Sequence, residues 1–126
     1  MANFKTTDEI ILIVYGLLGS ISTKKYIRTK PTSAKDTEYI VINCLPIPAN
    51  LMQRCIFNVN YHIKDLSSGV PDTTKLVSAS ISILNVLQKV TGANYLIDFE
   101  SQETHSEEAL GESFTNLRFT FKYINN

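Results

Sequence analysis

The sequence has two cysteines, no tryptophan and no long hydrophobic run, and these shortages exclude several classes of protein. Two cysteines cannot make the disulfide framework of a small secreted domain. The longest unbroken apolar run, residues 10–15, is far shorter than the roughly 20 residues that cross a bilayer as a helix. Twelve Lys and Arg balance twelve Asp and Glu, so the chain lacks the positive charge that draws proteins to phosphates. We therefore expect neither a membrane nor a sequence-specific nucleic acid as a partner.

What is present is an ordinary globular composition. The 126 residues are 44% hydrophobic and 19% charged, which predicts a single domain over residues 1–126. A net charge of zero removes the self-repulsion that keeps monomers apart, so it favours a protein that assembles. Residues 10–22 have the outline of a signal peptide, but Asp8 and Glu9 precede them where a secretory signal needs positive charge. We therefore interpret this segment as part of the fold.

The hydrophobic pattern predicts two helices. The first is expected over residues 6–18, with Thr6 and Glu9 as a capping box and Gly19 as its left-handed end. The second is expected over residues 72–90, where apolar residues recur at helical spacing.

The remaining pattern predicts five strands and an α+β fold. The strands are expected over residues 26–30, 37–45, 53–64, 95–100 and 117–123. Residues 101–112 are too polar to pack and are expected to form the long tip of a hairpin. The order α-β-β-β-α-β-β indicates a mainly antiparallel sheet with two helices packed on one face. The expected core residues are Phe57, Val59, Ile81, Leu84, Leu87 and Phe119.

No catalytic or metal-binding constellation can be assembled from the sequence. His62 and His105 are far apart and belong to no ligand spacing, so we expect no metal site. We interpret His62 as a solvated or interface histidine on the polar face of its strand. Neither predicted helix follows a glycine-rich phosphate-binding turn. The sequence therefore predicts no catalytic residue, no cofactor and no enzymatic activity.

Cys44 and Cys55 flank the connection between two predicted strands. If these strands pair as a hairpin, Cys44 lies opposite Cys55 and Ile42 opposite Phe57, all on the buried face. We expect two reduced thiols that pack as small apolar side chains.

Charge is distributed unevenly along the chain. Residues 24–35 contain Lys and Arg and no acid, whereas residues 98–112 contain Asp and Glu and no Lys or Arg. Two solvated loops explain this pattern. Alternatively, the acidic tip of one subunit meets the basic strand of the next, a head-to-tail contact that closes a ring. The residues assigned to that subunit or partner interface are Lys24, Lys25, Arg28, Lys30, Glu103, Glu107, Glu108 and Glu112.

The order of these segments resembles a known family. An apolar N-terminal helix is followed by the strand 36–42, which reads DTEYIVI, and by the alternating strand 57–63. An amphipathic helix over 72–90 and a last strand with alternating aromatic residues, 117–123, complete the pattern. In this order and spacing the chain is similar to the small tail-terminator, or tail-completion (head–tail joining), proteins of bacteriophages.

This resemblance implies a structural virion protein of a tailed bacteriophage. Such proteins form a homo-oligomeric ring, commonly a hexamer, at the head–tail junction or the tail end, and the ring terminates or joins the tail. The expected partners are further copies of the chain, the tail tube protein and head-side connector or portal-adaptor proteins. The expected location is the virion, after assembly in the host cytoplasm. The alternative is a stand-alone bacterial α+β module that binds a small ligand or a peptide.

Overall fold

The computed structural model describes residues 5–45, 52–88, 90–91 and 94–124. The helices are α1 (Thr7–Leu17) and α2 (Thr73–Leu87), and two short 3-10 helices cover Leu18–Ser20 and Glu108–Leu110. The strands are β1 (Lys25–Ile27), β2 (Glu38–Cys44), β3 (Met52–Lys64), β4 (Val90–Thr91), β5 (Tyr95–Glu107) and β6 (Glu112–Ile124). The predicted α+β class is confirmed, with two helices and one mixed six-stranded sheet.

Side-chain caps fix where the two helices begin. The Thr6 hydroxyl accepts from the backbone N–H of Glu9 at 3.1 Å, and the Glu9 carboxylate accepts from the N–H of Thr6 at 3.0 Å, as predicted. Asp72 caps α2 by accepting from the N–H of Lys75. Neither helix in the described part of the chain has the length and hydrophobicity that crossing a membrane requires.

Both predicted helix ends are wrong. The first helix does not stop at a left-handed Gly19, because it continues into the 3-10 turn Leu18–Ser20. Gly111, which follows the other 3-10 turn, does have a left-handed backbone, with φ of 66°. The second helix ends at Leu87, because Val90 pairs with Ile97 and starts the short strand β4. A strand of two residues is too short to show the period-two alternation by which a strand is predicted from sequence.

The strands form one sheet in the order β1-β2-β3-β6-β5-β4. Strand β1 runs parallel to β2, and the other neighbouring pairs are antiparallel. The expected mainly antiparallel sheet therefore contains one parallel pair among the described strands, β1 with β2. Arg28, with φ of 70°, directly follows β1 at the start of the long connection that allows the parallel pairing.

The predicted hairpin tip at residues 101–112 is mostly strand. Pairing of β5 with β6 continues from Ser101↔Arg118 to Glu107↔Glu112, after an irregularity between Phe99 and Ser101. The side chains of residues 100–106 are all exposed, so their polarity reflects solvent on this part of β5. Backbone hydrogen bonds to β6 hold such a strand without apolar burial, which is why hydrophobicity alone indicated a loop.

The core is one apolar cluster formed by both helices and alternating residues of the sheet. Phe57 and Phe119, fully buried at directly paired positions of β3 and β6, stack at 5.1 Å between ring centroids. Ile81, an expected core residue, is instead 53% exposed. The buried stripe of α2 runs through Ser80, whose hydroxyl donates to the Leu76 carbonyl at 2.7 Å. A local hydrogen bond thus lets a small polar residue take the inward position.

The cysteine register is shifted by two residues from the predicted one. Cys44 pairs with Phe57 and Ile42 with Val59, so Cys44 and Cys55 are diagonal neighbours with sulfurs 3.5 Å apart. A shift of two keeps every side chain on its face, so hydrophobic alternation cannot distinguish the two registers. Two effects raise the pKa of the Cys55 thiol: the contact with the Cys44 thiol is the larger, and burial is the second.

We expect truncation of Phe57 to Ala to lower the free energy of unfolding by about 3–5 kcal/mol, because it leaves a cavity against Phe119. Ile81→Ala is the matched control and should have a far smaller effect, since its side chain is more than half exposed. Chemical denaturation of both variants measures the difference. Equal losses would contradict the assignment of the two side chains.

We also expect two free thiols per chain when the protein is unfolded and titrated with a thiol reagent. Both cysteines are free thiols in the structure, and they pack as apolar groups at the end of the β2–β3 pair. Recovery of no free thiol from protein prepared without an oxidant would contradict this and would indicate an oxidising compartment.

Candidate functional site

The sheet has a second face, formed by the side chains that alternate with the core residues. On it, four aromatic rings lie directly opposite one another in the order Tyr39, His62, Phe114 and His105, one each from β2, β3, β6 and β5. Successive ring centroids are 4.5, 4.7 and 5.1 Å apart, and each pair is stacked. The register of four strands therefore builds a continuous aromatic row across the sheet.

His62 lies inside this row and makes contact with two carboxylates. Its Nδ1 atom is 2.9 Å from Oε2 of Glu112 and 3.5 Å from Oε1 of Glu107. The hydroxyl of Tyr39 donates to the same Glu112 oxygen at 2.5 Å. His62 and Glu112 are each only 9% exposed, so this is a buried polar cluster. His62 is therefore not a solvated histidine, and the alternative interpretation, a histidine at an interface, stays a prediction.

Burial sets the ionisation of the cluster. Loss of water lowers the pKa of His62, and the nearby Glu112 carboxylate opposes the shift without reversing it. Burial also raises the pKa of Tyr39, with a further contribution from its hydrogen bond to Glu112. At neutral pH the cluster therefore contains a neutral imidazole and a protonated phenol.

Beyond the aromatic row, the same face carries a network of amides. Asn58 donates to Asn43 at 3.0 Å, and Asn116 donates to Asn58 at 3.1 Å and to Asn60 at 2.6 Å. The Nε atom of Arg118 donates to Asn58 at 3.3 Å. These contacts satisfy part of a polar surface in the middle of the sheet, which makes the strand pairing specific there.

A cavity of about 690 Å³ opens beside the cluster. The connection between β1 and β2 supplies one wall, which includes Arg28 and Lys30. Lys64, Glu107 and Glu112 also line the cavity. Two residues of the predicted basic set and two of the predicted acidic set therefore line one cavity within a single chain.

The other contacts of the predicted basic residues are also internal. The ammonium of Lys25 donates to the carbonyls of Ile21 and Thr23, and Arg28 forms an ion pair with Asp8. The ammonium groups of Lys24 and Lys30 lie over tyrosine rings, at 5.5 Å from the centroid of Tyr26 and 4.6 Å from that of Tyr39 respectively.

The predicted acidic residues divide into buried and exposed positions. Glu112 is buried in the cluster and Glu107 is partly buried beside it, so neither stands on a solvated tip. Glu103 is exposed and lies 3.5 Å from Nε2 of His105, and Glu108 is exposed in the 3-10 turn. Assignment of these residues to a subunit interface remains a prediction.

Sequence reasoning missed the cluster because its members are distant along the chain. His62 and Glu112 are 50 positions apart, and they meet only through the pairing of β3 with β6. One signal was present: His62 stands on the polar face of the strand with the clearest alternation in the sequence. That alternation predicts on which face of the strand His62 lies, but it does not predict which residues of other strands lie beside His62.

Comparison with known proteins does not assign the chain to a family. No protein-family model matches the sequence, and no curated protein matches it.

We expect the free energy of unfolding in metal-free buffer to fall as the pH decreases from about 7 to 5.5. The pKa of His62 is lowered in the folded state, so the unfolded chain takes up a proton near pH 6.5 that the folded chain takes up only at lower pH. His62→Phe keeps a ring between Tyr39 and Phe114 and should flatten this slope. His105→Phe, at the exposed end of the row, is the control, and an identical loss of slope there would contradict the assignment.

Proposed function

We propose that this chain is a structural virion protein of a tailed bacteriophage, which forms a ring at the head–tail junction or the tail end. The resemblance in element order supports this, together with the α+β fold of two helices and a mixed sheet. In this proposal both helices cover one face of the sheet. The protein acts by assembly: one surface of the ring meets the tail tube, and another meets the head-side connector, so that the ring terminates or joins the tail.

The observation that carries the proposal is the opposite charge on two edges of the sheet. The edge strand β1 starts next to Lys24, an exposed residue, and contains Lys25. Strand β5 pairs with β4 only at Leu96 and Ile97, so its outer edge from Phe99 onward has no strand partner among the described residues. That edge carries the exposed Glu100 and Glu103.

Unpaired edges of this kind favour contact between different copies. Strands β2, β3 and β6 separate β1 from β5, so these two edges cannot pair with each other inside one sheet. Acidic side chains along β5 repel a second β5 edge and favour a basic one. A β1-to-β5 contact uses two different surfaces, and repetition of such a heterologous contact closes a ring.

Charge alone gives little binding energy, so apolar contacts must hold the ring together. Exposed ion pairs contribute about 0.2–1 kcal/mol each and are weakened by salt. Leu12 on α1 and Val77 and Ile81 on α2 are each more than half exposed and provide apolar area outside the core. In this arrangement the charges select the orientation of neighbouring subunits.

One observation favours the alternative of a stand-alone binding module. The cavity of about 690 Å³ beside His62 is large enough for a small ligand and has polar and charged groups on its walls. A chain that stays monomeric at all concentrations and retains a ligand in this cavity would favour the alternative. A discrete ring in solution, alone or with a tail tube protein, would favour the virion protein.

We expect Glu103→Lys combined with Glu108→Lys to weaken self-association at low salt, because both side chains are exposed and outside the buried cluster. Light scattering after size-exclusion chromatography measures the mass. Lys24→Glu should weaken association alone and partly restore it when combined with the glutamate reversals. Lys75→Glu, on the exposed surface of α2, is the matched control.

The salt dependence gives a second control on the ring. At 1 M salt the Debye length is about 3 Å, and the variants should then approach the wild-type mass. A wild-type chain that stays monomeric, or reversals that leave the mass unchanged at low salt, would contradict the proposal. Circular dichroism verifies that each variant keeps its fold.

A further inference from the structure

Two carboxylates and one imidazole converge where β5 and β6 meet β3. The donor atoms of His62, Glu107 and Glu112 all lie within 4.8 Å of one another. Each residue comes from a different strand, and each strand is fixed by regular pairing. This cluster forms without any local sequence motif, and it does not include Lys24, Glu103 or Glu108, at which the ring proposal is tested.

The two carboxylates lie in an electrostatically unfavourable position. Glu107 and Glu112 are direct partners in the antiparallel β5–β6 pair, where like charges repel. Glu112 is also buried, which strengthens the repulsion because less water screens it. Among the described residues, the imidazole of His62 is the basic group that both carboxylates contact. A cation between the two carboxylates would remove this repulsion.

The imidazole is held in position before any ligand arrives. Tyr39 and Phe114 stack on its two sides, at 4.5 and 4.7 Å, so the ring cannot rotate freely. The hydroxyl of Tyr39 donates to Glu112 and orients that carboxylate. Outer contacts of this kind fix the ligands in metal sites and are worth 10–100-fold in metal affinity.

We propose that His62 Nδ1, Glu107 and Glu112 bind a divalent cation, and that zinc fits the site best. One imidazole nitrogen and two carboxylate oxygens are a donor set that zinc accepts. Ligand atoms at about 2.0–2.1 Å from a tetrahedral ion are roughly 3.3 Å apart. The distances from Nδ1 to the two carboxylates, 2.9 and 3.5 Å, lie on either side of that value.

The ion takes the lone pair of Nδ1 in the neutral tautomer, so the ring proton moves from Nδ1 to Nε2 by exchange with water and no net proton is released from the ring. The fourth position of the ion opens to the cavity and holds water. Arg28, Lys30 and Lys64 line that cavity. Their positive charge opposes a cation, so the affinity requires both glutamates to be ionised. The bound ion would attach the end of the β5–β6 hairpin to β3.

The test is calorimetric titration of zinc chloride into protein freed of metal with a chelator. We expect one zinc per chain and a rise in the melting temperature on binding. Glu107→Gln should lower the affinity at least tenfold, and its carboxylate is exposed enough for the variant to fold. Glu103→Gln is the matched control, because Glu103 forms an exposed pair with His105 in the same hairpin.

Three results would overturn the site: no zinc binding by the wild type, full affinity in Glu107→Gln, or loss of binding in Glu103→Gln. Melting of Glu107→Gln without zinc verifies that the variant folds. If it does not fold, ¹⁵N NMR of the wild-type imidazoles decides the matter. Zinc must then shift the Nδ1 resonance of His62, and a shift confined to His105 would place the metal on the surface.

Discussion

The pairing of β3 with β6 is the contact on which the rest of the molecule depends. Thirteen residues of β3, from Met52 to Lys64, lie opposite β6 without interruption in the middle of the sheet. This register places Phe57 against Phe119 on one face, in the apolar core. It also places His62 against Phe114 on the other face. A slip of one residue would exchange the two faces and destroy both the core and the polar cluster.

The second face differs from an ordinary solvated sheet surface. Tyr39, Asn58 and His62 are all buried on it, although each has a polar group that needs a partner. The partners come from neighbouring strands: Glu112 for Tyr39 and His62, and Asn43 and Asn116 for Asn58. Polar networks of this kind tolerate few changes, because loss of one partner leaves another buried group unsatisfied. The carboxylates beside His62 are the part of the network where a further ligand, a cation, would relieve repulsion.

The proposed assembly uses different parts of the same sheet. The central strands β2, β3 and β6 are paired on both sides, so the proposed contact uses the edge strand β1 and the outer part of β5, beyond its short pairing with β4. The charge pattern read from the sequence is retained at Lys24, Glu103 and Glu108, which are exposed. Glu112, by contrast, is buried in the cluster, and Arg28 forms an ion pair with Asp8 of the same chain. The exposed residues Lys24, Glu103 and Glu108 are the positions at which the ring proposal is tested, and the assignment of all eight residues to an interface stays a prediction.

Local patterns in the sequence determined the elements that have a strong period or a side-chain cap. The capping box of Thr6 and Glu9 gave the start of α1, and the alternation around Phe57 gave β3 and its buried face. Period-two alternation repeats every second residue, so it left the position of Cys44 along β3 undetermined. The hydrophobic pattern could not predict the polar half of β5 as a strand, because backbone hydrogen bonds to β6, and not apolar burial, hold it in the sheet. Only the tertiary structure decided that His62, Glu107 and Glu112 meet, because long-range strand pairing brings them together and no local rule encodes it.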